Sequence, residues 1–202
     1  MTIKEVKTII GKHIVTSSLE AGFKRNGKYR ALEKVYARTA ELFEENKDAS
    51  KELYAHLSQI LPCIAFYESL KKLTGSSEKA LEVFEKWAFV KFNSLVPAMQ
   101  TIMKTGLYKK VPELGEMLLE KTFNEAAGFA SRSVETDNGF AVDMTACPYL
   151  ETCKKYGCPE LTPVFCKSDD LIYGNLHPDL VWARTQTLAT GGECCDFKLY
   201  LK

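Results

Sequence analysis

Thr136-Asp137-Asn138-Gly139-Phe140-Ala141-Val142-Asp143-Met144-Thr145 is the stretch at which the chain changes character. The Asn-Gly pair is a strong hairpin signal, because both positions of the tight turn it favours need a positive φ. Beyond it Phe140, Val142 and Met144 alternate with Ala141, Asp143 and Thr145, which gives one apolar face to a strand. Val134 and its neighbours supply the partner strand. Further on, Trp182 to Leu188 predicts another strand and Gly191-Gly192 a turn. Cys195-Asp196-Phe197-Lys198-Leu199 predicts the last strand, with Cys195, Phe197 and Leu199 on one face and Asp196 and Lys198 on the other. Two short helices interrupt this pattern. Cys147-Pro148 starts one that runs through Cys153 to Tyr156 and is stopped by Gly157. Pro163 opens the second, which carries Cys166, Asp169 and Asp170 up to Gly174.

Upstream the periodicity is helical. Ile3, Val6, Ile9 and Ile10 fall on one face, as do Leu32, Val35, Leu42 and Phe43. The clearest helix starts near Asp48-Ala49-Ser50, carries Leu53, Leu57, Ile60, Leu61, Ile64 and Leu70, and ends near Gly75. Ser76-Ser77 opens the next, with Leu81, Phe84, Trp87, Ala88 and Leu95 inward, until Pro97 kinks or restarts it. A shorter helix follows Pro112. The expected fold is therefore α+β. A mainly helical part, 1–125, packs on a roughly four-stranded antiparallel sheet with short inserted helices, 126–202, and the 202 residues form a single domain.

Composition narrows the function. With 46% hydrophobic and 26% charged residues the chain can bury its own core, and a net charge of +1 lacks the basic excess that nucleic-acid binding requires. The basic run from Lys24-Arg25 to Arg30 reads as a solvated loop and helix start. No stretch reaches the ~18 apolar residues of a membrane helix, and the N-terminus shows an amphipathic pattern instead of a targeting segment. His13 and His56 lie in helices without acidic or cysteine partners at ligand spacing, and Cys63 reads as a small core residue. Seven cysteines is an odd count, and the adjacent Cys194-Cys195 pair suits disulfide geometry poorly, so reduced thiols in a cytoplasm are expected. The sequence names no cofactor and leaves assembly into an oligomer open.

Six of those seven cysteines lie between Cys147 and Phe197, beside Asp169, Asp170, His177 and Arg184. The spacings Cys147-x5-Cys153-x4-Cys158-x7-Cys166 match none of the usual zinc knuckles, although thiolates from separate elements can still converge on a metal. Cys166 is the stronger candidate for a reactive thiol, with Asp169 three and Asp170 four residues on along the same helix. A carboxylate alone raises a thiol pKa, so His177 or Arg184 must supply the base or the positive field. Arg184 suits either a substrate carboxylate or a pairing with Asp196 across the Gly191-Gly192 hairpin. Gly192 serves either the turn or the close approach of a ligand to the backbone.

Taken together, Cys147-Pro148-Tyr149, Gly157-Cys158-Pro159-Glu160-Leu161, Phe165-Cys166 with Ser168-Asp169-Asp170, His177-Pro178, Arg184-Thr185 and Gly191-Gly192-Glu193-Cys194-Cys195-Asp196-Phe197 resemble the L-2-amino-thiazoline-4-carboxylic acid hydrolase family. The resemblance implies hydrolytic opening of a small cyclic amidine that bears a carboxylate, giving a carbamoyl-cysteine. Water or Cys166 would attack the carbon between ring nitrogen and sulfur. Asp169, Asp170 or His177 would move protons, Arg184 would hold the carboxylate, and Cys195 with Gly192 would border the pocket. The alternative is a non-catalytic small-molecule- or metal-binding domain, since the layout is also loosely similar to vinyl-4-reductase-type domains. A third reading keeps the fold and changes the substrate to another small carbon–nitrogen or carbon–sulfur compound.

Overall fold

The computed structural model describes residues 1–202, which form two compact units, Met1–Lys91 and Phe92–Lys202. The helical segment read as 1–125 is thus shared between them. The first unit contains α1 (Ile3–Lys12), α2 (Ile14–Arg25), α3 (Tyr29–Glu44), α4 (Lys51–Thr74) and α5 (Ser77–Ala88). Ser50 caps α4 by accepting the Leu53 N–H, and Gly75 ends it at φ +69°. From Leu57 to Tyr67 α4 is buried on nearly every side, so it is the central helix that the others surround. Each fully buried Leu or Ile there contributes roughly 1.5–3 kcal/mol. The basic run around Lys24 to Arg30 is exposed, at the end of α2 and the start of α3.

The second unit is α+β. It contains α6 (Phe92–Met103), α7 (Val111–Thr122), β1 (Ala130–Val134), β2 (Gly139–Ala146), α8 (Pro148–Lys155), α9 (Thr162–Tyr173), β3 (Leu180–Ala183) and β4 (Cys195–Leu201). All strand pairs are antiparallel, in the order β1-β2-β4-β3. Register sets Met144 opposite Cys195, Val142 opposite Phe197, Phe140 opposite Leu199 and Trp182 opposite Leu199. The alternating pattern therefore makes one continuous apolar face, against which α7 and α9 pack. No helix of the chain is long and apolar enough to cross a membrane.

Three local expectations change. Pro97 does not break its region. The interruption falls at Phe89–Lys91, where the Phe89 N–H closes on the Glu85 carbonyl, and Pro97 lies inside α6. Pro97 is exposed, so water can take the carbonyl that its missing N–H leaves free. The Asn138-Gly139 pair is not a two-residue turn with two positive φ angles, since only Asn138 is left-handed, at φ +56°. Gly139 is needed for another reason: a Cβ there would meet the Leu199 carbonyl oxygen at 2.2 Å and Tyr200 Cα at 2.5 Å. Finally, the strand expected from Trp182 to Leu188 stops at Ala183, for a reason that lies in the site below.

Gly139→Ala should destabilise the second unit by about 1–3 kcal/mol or more, because backbone atoms cannot retreat from the new methyl group. Gly11 lies in α1 with nothing within 4 Å of a built Cβ. Gly11→Ala should stabilise the first unit by about 0.5–1 kcal/mol. Thermal melts of the two variants should shift in opposite directions.

Candidate active site

The site grows from one turn of α9. Cys166, Asp169 and Tyr173 are spaced three and four residues apart and share a helix face, with Asp170 at its edge. Opposite them the chain leaves β3. Asp196, on β4, accepts the Thr185 N–H at 2.9 Å, the Gln186 N–H at 2.8 Å and the Thr185 hydroxyl. Those bonds draw residues 185 and 186 away from the ladder and end β3 at Ala183. They also hold the Asp196 carboxyl below its ordinary pKa. Burial opposes this, but the Thr185 hydroxyl and the two amides outweigh it.

Arg184 leaves the sheet at that point and runs over the Phe197 ring, 5.6 Å from its centroid. Its Nη2 donates to Asp170 Oδ2 at 2.5 Å and to the Cys166 carbonyl at 3.3 Å. The Asp196 pairing considered from sequence is therefore not made. Only 9% of the Arg184 side chain is exposed, and its Nη1 is buried without a hydrogen-bond partner. A buried guanidinium nitrogen left over in this way lacks the acceptor that such groups normally have.

The Phe197 ring that Arg184 covers lines a cavity of about 90 Å³, in whose wall Arg184 itself does not take part. Its sheet side is Phe140, Met144, Trp182, Phe197 and Leu199, its α7 side Gly115, Leu118 and Leu119 with nearby Phe123, and its α9 side Asp169 and Tyr173. The aromatic rings form a file: Tyr173 stacks on Trp182 at 5.0 Å, and Trp182 on Phe197 at 5.4 Å. Trp182 Nε1 donates to Asp170 Oδ1 at 2.9 Å, so one carboxylate fixes both the indole and the guanidinium.

The electrostatics separate the candidates. Burial pushes the Asp169 carboxyl up from 3.8 to about 7, with Arg184 pulling down and Asp170 adding to the rise. That value suits proton transfer at neutral pH. Burial drives the Cys166 thiol up to about 12. Arg184 offsets this only in part, and Cys195, Asp169 and Cys147 reinforce it. Cys166 is therefore a neutral thiol near pH 7. Burial likewise raises Cys195, whose Sγ accepts the Leu188 N–H at 3.3 Å. It raises Cys147 as well, against the Tyr149 and Leu150 amides at the start of α8.

Cys166, Asp169, Asp170, Arg184 and Cys195 are thus gathered in one region. His177 does not join them. It stacks on Tyr108 at 3.7 Å, and its Nδ1 accepts the Asp179 N–H at 3.2 Å. That arrangement fastens the loop before β3, and His177 is not among the groups whose charge acts on Cys166. Gly192 also serves the fold, since a Cβ there would meet Gln186 at 2.8 Å. No three His, Cys, Asp or Glu side chains stand together in a way that could hold a metal ion. Sequence reasoning missed Tyr173, Trp182 and the α7 wall. The first two carried a signal, because Tyr173 is four residues from Asp169 and Trp182 two from Arg184. The α7 residues carried none, since only tertiary packing brings them there.

Set beside known proteins, the chain matches the family described as L-2-amino-thiazoline-4-carboxylic acid hydrolase over residues 56–199. No curated protein and no solved structure matches it.

The raised Asp169 pKa has a signature in stability. Between the ordinary carboxyl value of 3.8 and about 7 the folded protein binds the Asp169 proton more tightly than the unfolded chain does. Stability must then fall as pH rises through that window. Asp169→Asn should remove this slope, so its melting temperature relative to the parent protein should be more favourable at pH 8 than at pH 5. An identical difference at both pH values would contradict the assigned environment.

Proposed function

The chain belongs to the L-2-amino-thiazoline-4-carboxylic acid hydrolase family, and from that premise we propose that it opens a small cyclic amidine bearing a carboxylate, with 2-amino-thiazoline-4-carboxylate as the reference substrate. The observation that carries the reading is the buried Arg184 Nη1, left without a protein acceptor near a carboxyl group poised close to neutrality. In this reading Arg184 Nη1 donates to the substrate carboxylate, and the planar ring lies along Trp182 and Phe197. Ionised Asp169 takes a proton from water as the water oxygen bonds to the carbon between ring nitrogen and sulfur. The tetrahedral centre collapses with loss of either the carbon–sulfur or the carbon–nitrogen bond, as its hydroxyl proton passes to the ring nitrogen that has lost its double bond. The departing atom receives the proton from Asp169, which returns to its starting state. The sum is one water added and one carbamoyl-cysteine formed.

Of the two attacking groups considered, water or Cys166, this reading takes water. A thiol held near pKa 12 is a poor source of thiolate, so Cys166 borders the site and offers its backbone carbonyl to Arg184. Asp170 positions Arg184 and Trp182. Cys195 packs with Ala127, Phe129 and Met144, outside the cavity wall. Seven cysteines outside any disulfide fit an enzyme of the reducing cytoplasm. The reaction requires neither nucleic acid nor membrane.

Incubation with 2-amino-thiazoline-4-carboxylate should release a free thiol if the carbon–sulfur bond breaks, or a free amine if the carbon–nitrogen bond breaks. Release of neither would refute the reading. The pH profile of kcat/KM should rise with Asp169 ionisation, with a midpoint near 7. Asp169→Asn should lower kcat by at least about 100-fold. Arg184→Leu should act chiefly on KM. Cys166→Ala should keep turnover within about tenfold, whereas a covalent thiol mechanism requires its complete loss.

A further inference from the structure

The cavity is far less polar than the reference substrate. An aminothiazoline carboxylate is polar around most of its edge, and in the reading above its carboxylate goes to Arg184 and its amidine to Asp169. Asp169 is the one charged side chain in the cavity wall. Leu118, Leu119, Phe123, Phe140, Met144 and Leu199 then face nothing in that ring that they complement. Nor does the apolar wall end inside. Leu118 is 48% exposed, and Leu114 and Met117 lie four residues and one residue before it on α7 with 46% and 45% exposure. An apolar track therefore runs from the cavity to the surface along one helix. Gly115 supports the same view. Glycine inside a helix costs up to about 1 kcal/mol against alanine. Here a Cβ would meet Phe140 Cε1 at 2.6 Å and drive that ring from its place in the wall.

We infer that the substrate carries, besides its amidine-like head and carboxylate, an apolar substituent that lies between α7 and the β2–β4 face and leaves past Leu118. This rests on the ring-opening reading, because the placement of the head beside Asp169 and Arg184 fixes where the substituent must go. Each methylene buried against this wall improves binding by roughly fourfold. Leu118 and Leu119 thereby select among ring substrates that present identical reacting atoms.

The test compares 2-amino-thiazoline-4-carboxylate with its 5-propyl derivative on the whole protein, measuring Kd by calorimetry and turnover separately. The propyl compound should bind at least about tenfold more tightly. Leu118→Asn should shrink that ratio at least about threefold, while an unchanged circular dichroism spectrum shows that the half-exposed site tolerates the change. Equal Kd values, or a preference that survives both Leu118→Asn and Leu119→Asn, would overturn the inference. Turnover of both compounds without preference leaves the ring-opening reading standing and removes only the substituent. Preferential binding of the propyl compound without turnover supports the apolar subsite and removes the hydrolase reading.

Discussion

The carboxylate of Asp170 ties the last helix of the second unit to the chain that follows β3. Its two oxygens accept from Trp182 Nε1 and Arg184 Nη2, whose residues lie two apart and so project to the same side. A guanidinium as deeply buried as Arg184 would be costly without an anion. Asp170 meets that need while half exposed itself, so the pair is made without sealing both charges from water. This bridge positions two groups of the site. The indole is locked into the aromatic file, and the second guanidinium nitrogen is held where the protein offers it no acceptor.

Asp169 and Asp170 show how one helical step separates two identical groups. Successive helix residues point about 100° apart. Asp170 thereby meets solvent and an arginine, whereas Asp169 turns toward an apolar cavity with the same arginine farther off. The first accepts from the Trp182 indole and the Arg184 guanidinium and so positions its neighbours. The second is pushed into the range where a carboxyl can both take and return a proton. Neighbouring thiols in the same low-polarity setting respond in the opposite functional sense. Burial that brings a carboxyl toward neutrality takes the Cys166 and Cys195 thiols further from ionisation.

Much of this was legible in the residues. Helices capped by Ser50 and Ser76, the apolar face of β2, the α9 start at Pro163 and the alternation of Cys195, Phe197 and Leu199 all follow from local rules. What escaped depends on groups distant in sequence. The end of β3 is set by Asp196 capturing amides ten and eleven residues before it, which no periodicity records. Gly139 was read for its φ, but it is required by the nearness of β4. His177 stood close to the acids along the chain, yet Tyr108 holds it elsewhere by stacking. The identity of the acids and the arginine was legible, whereas the order of their pKa values was not, because burial decides it.

The short β3 has a consequence for the protein in crowded solution. With the order β1-β2-β4-β3, the sheet has two free rims. One is β3, cut to four residues by the turn that Asp196 holds. The other is β1, whose pairing shifts register between Ala130 and Ser131 and which presents the exposed, charged Arg132. Short, irregular and charged margins are poor templates for a strand from a neighbouring molecule. The same hydrogen bonds that end β3 beside Arg184 therefore also guard the protein against polymerising through its sheet.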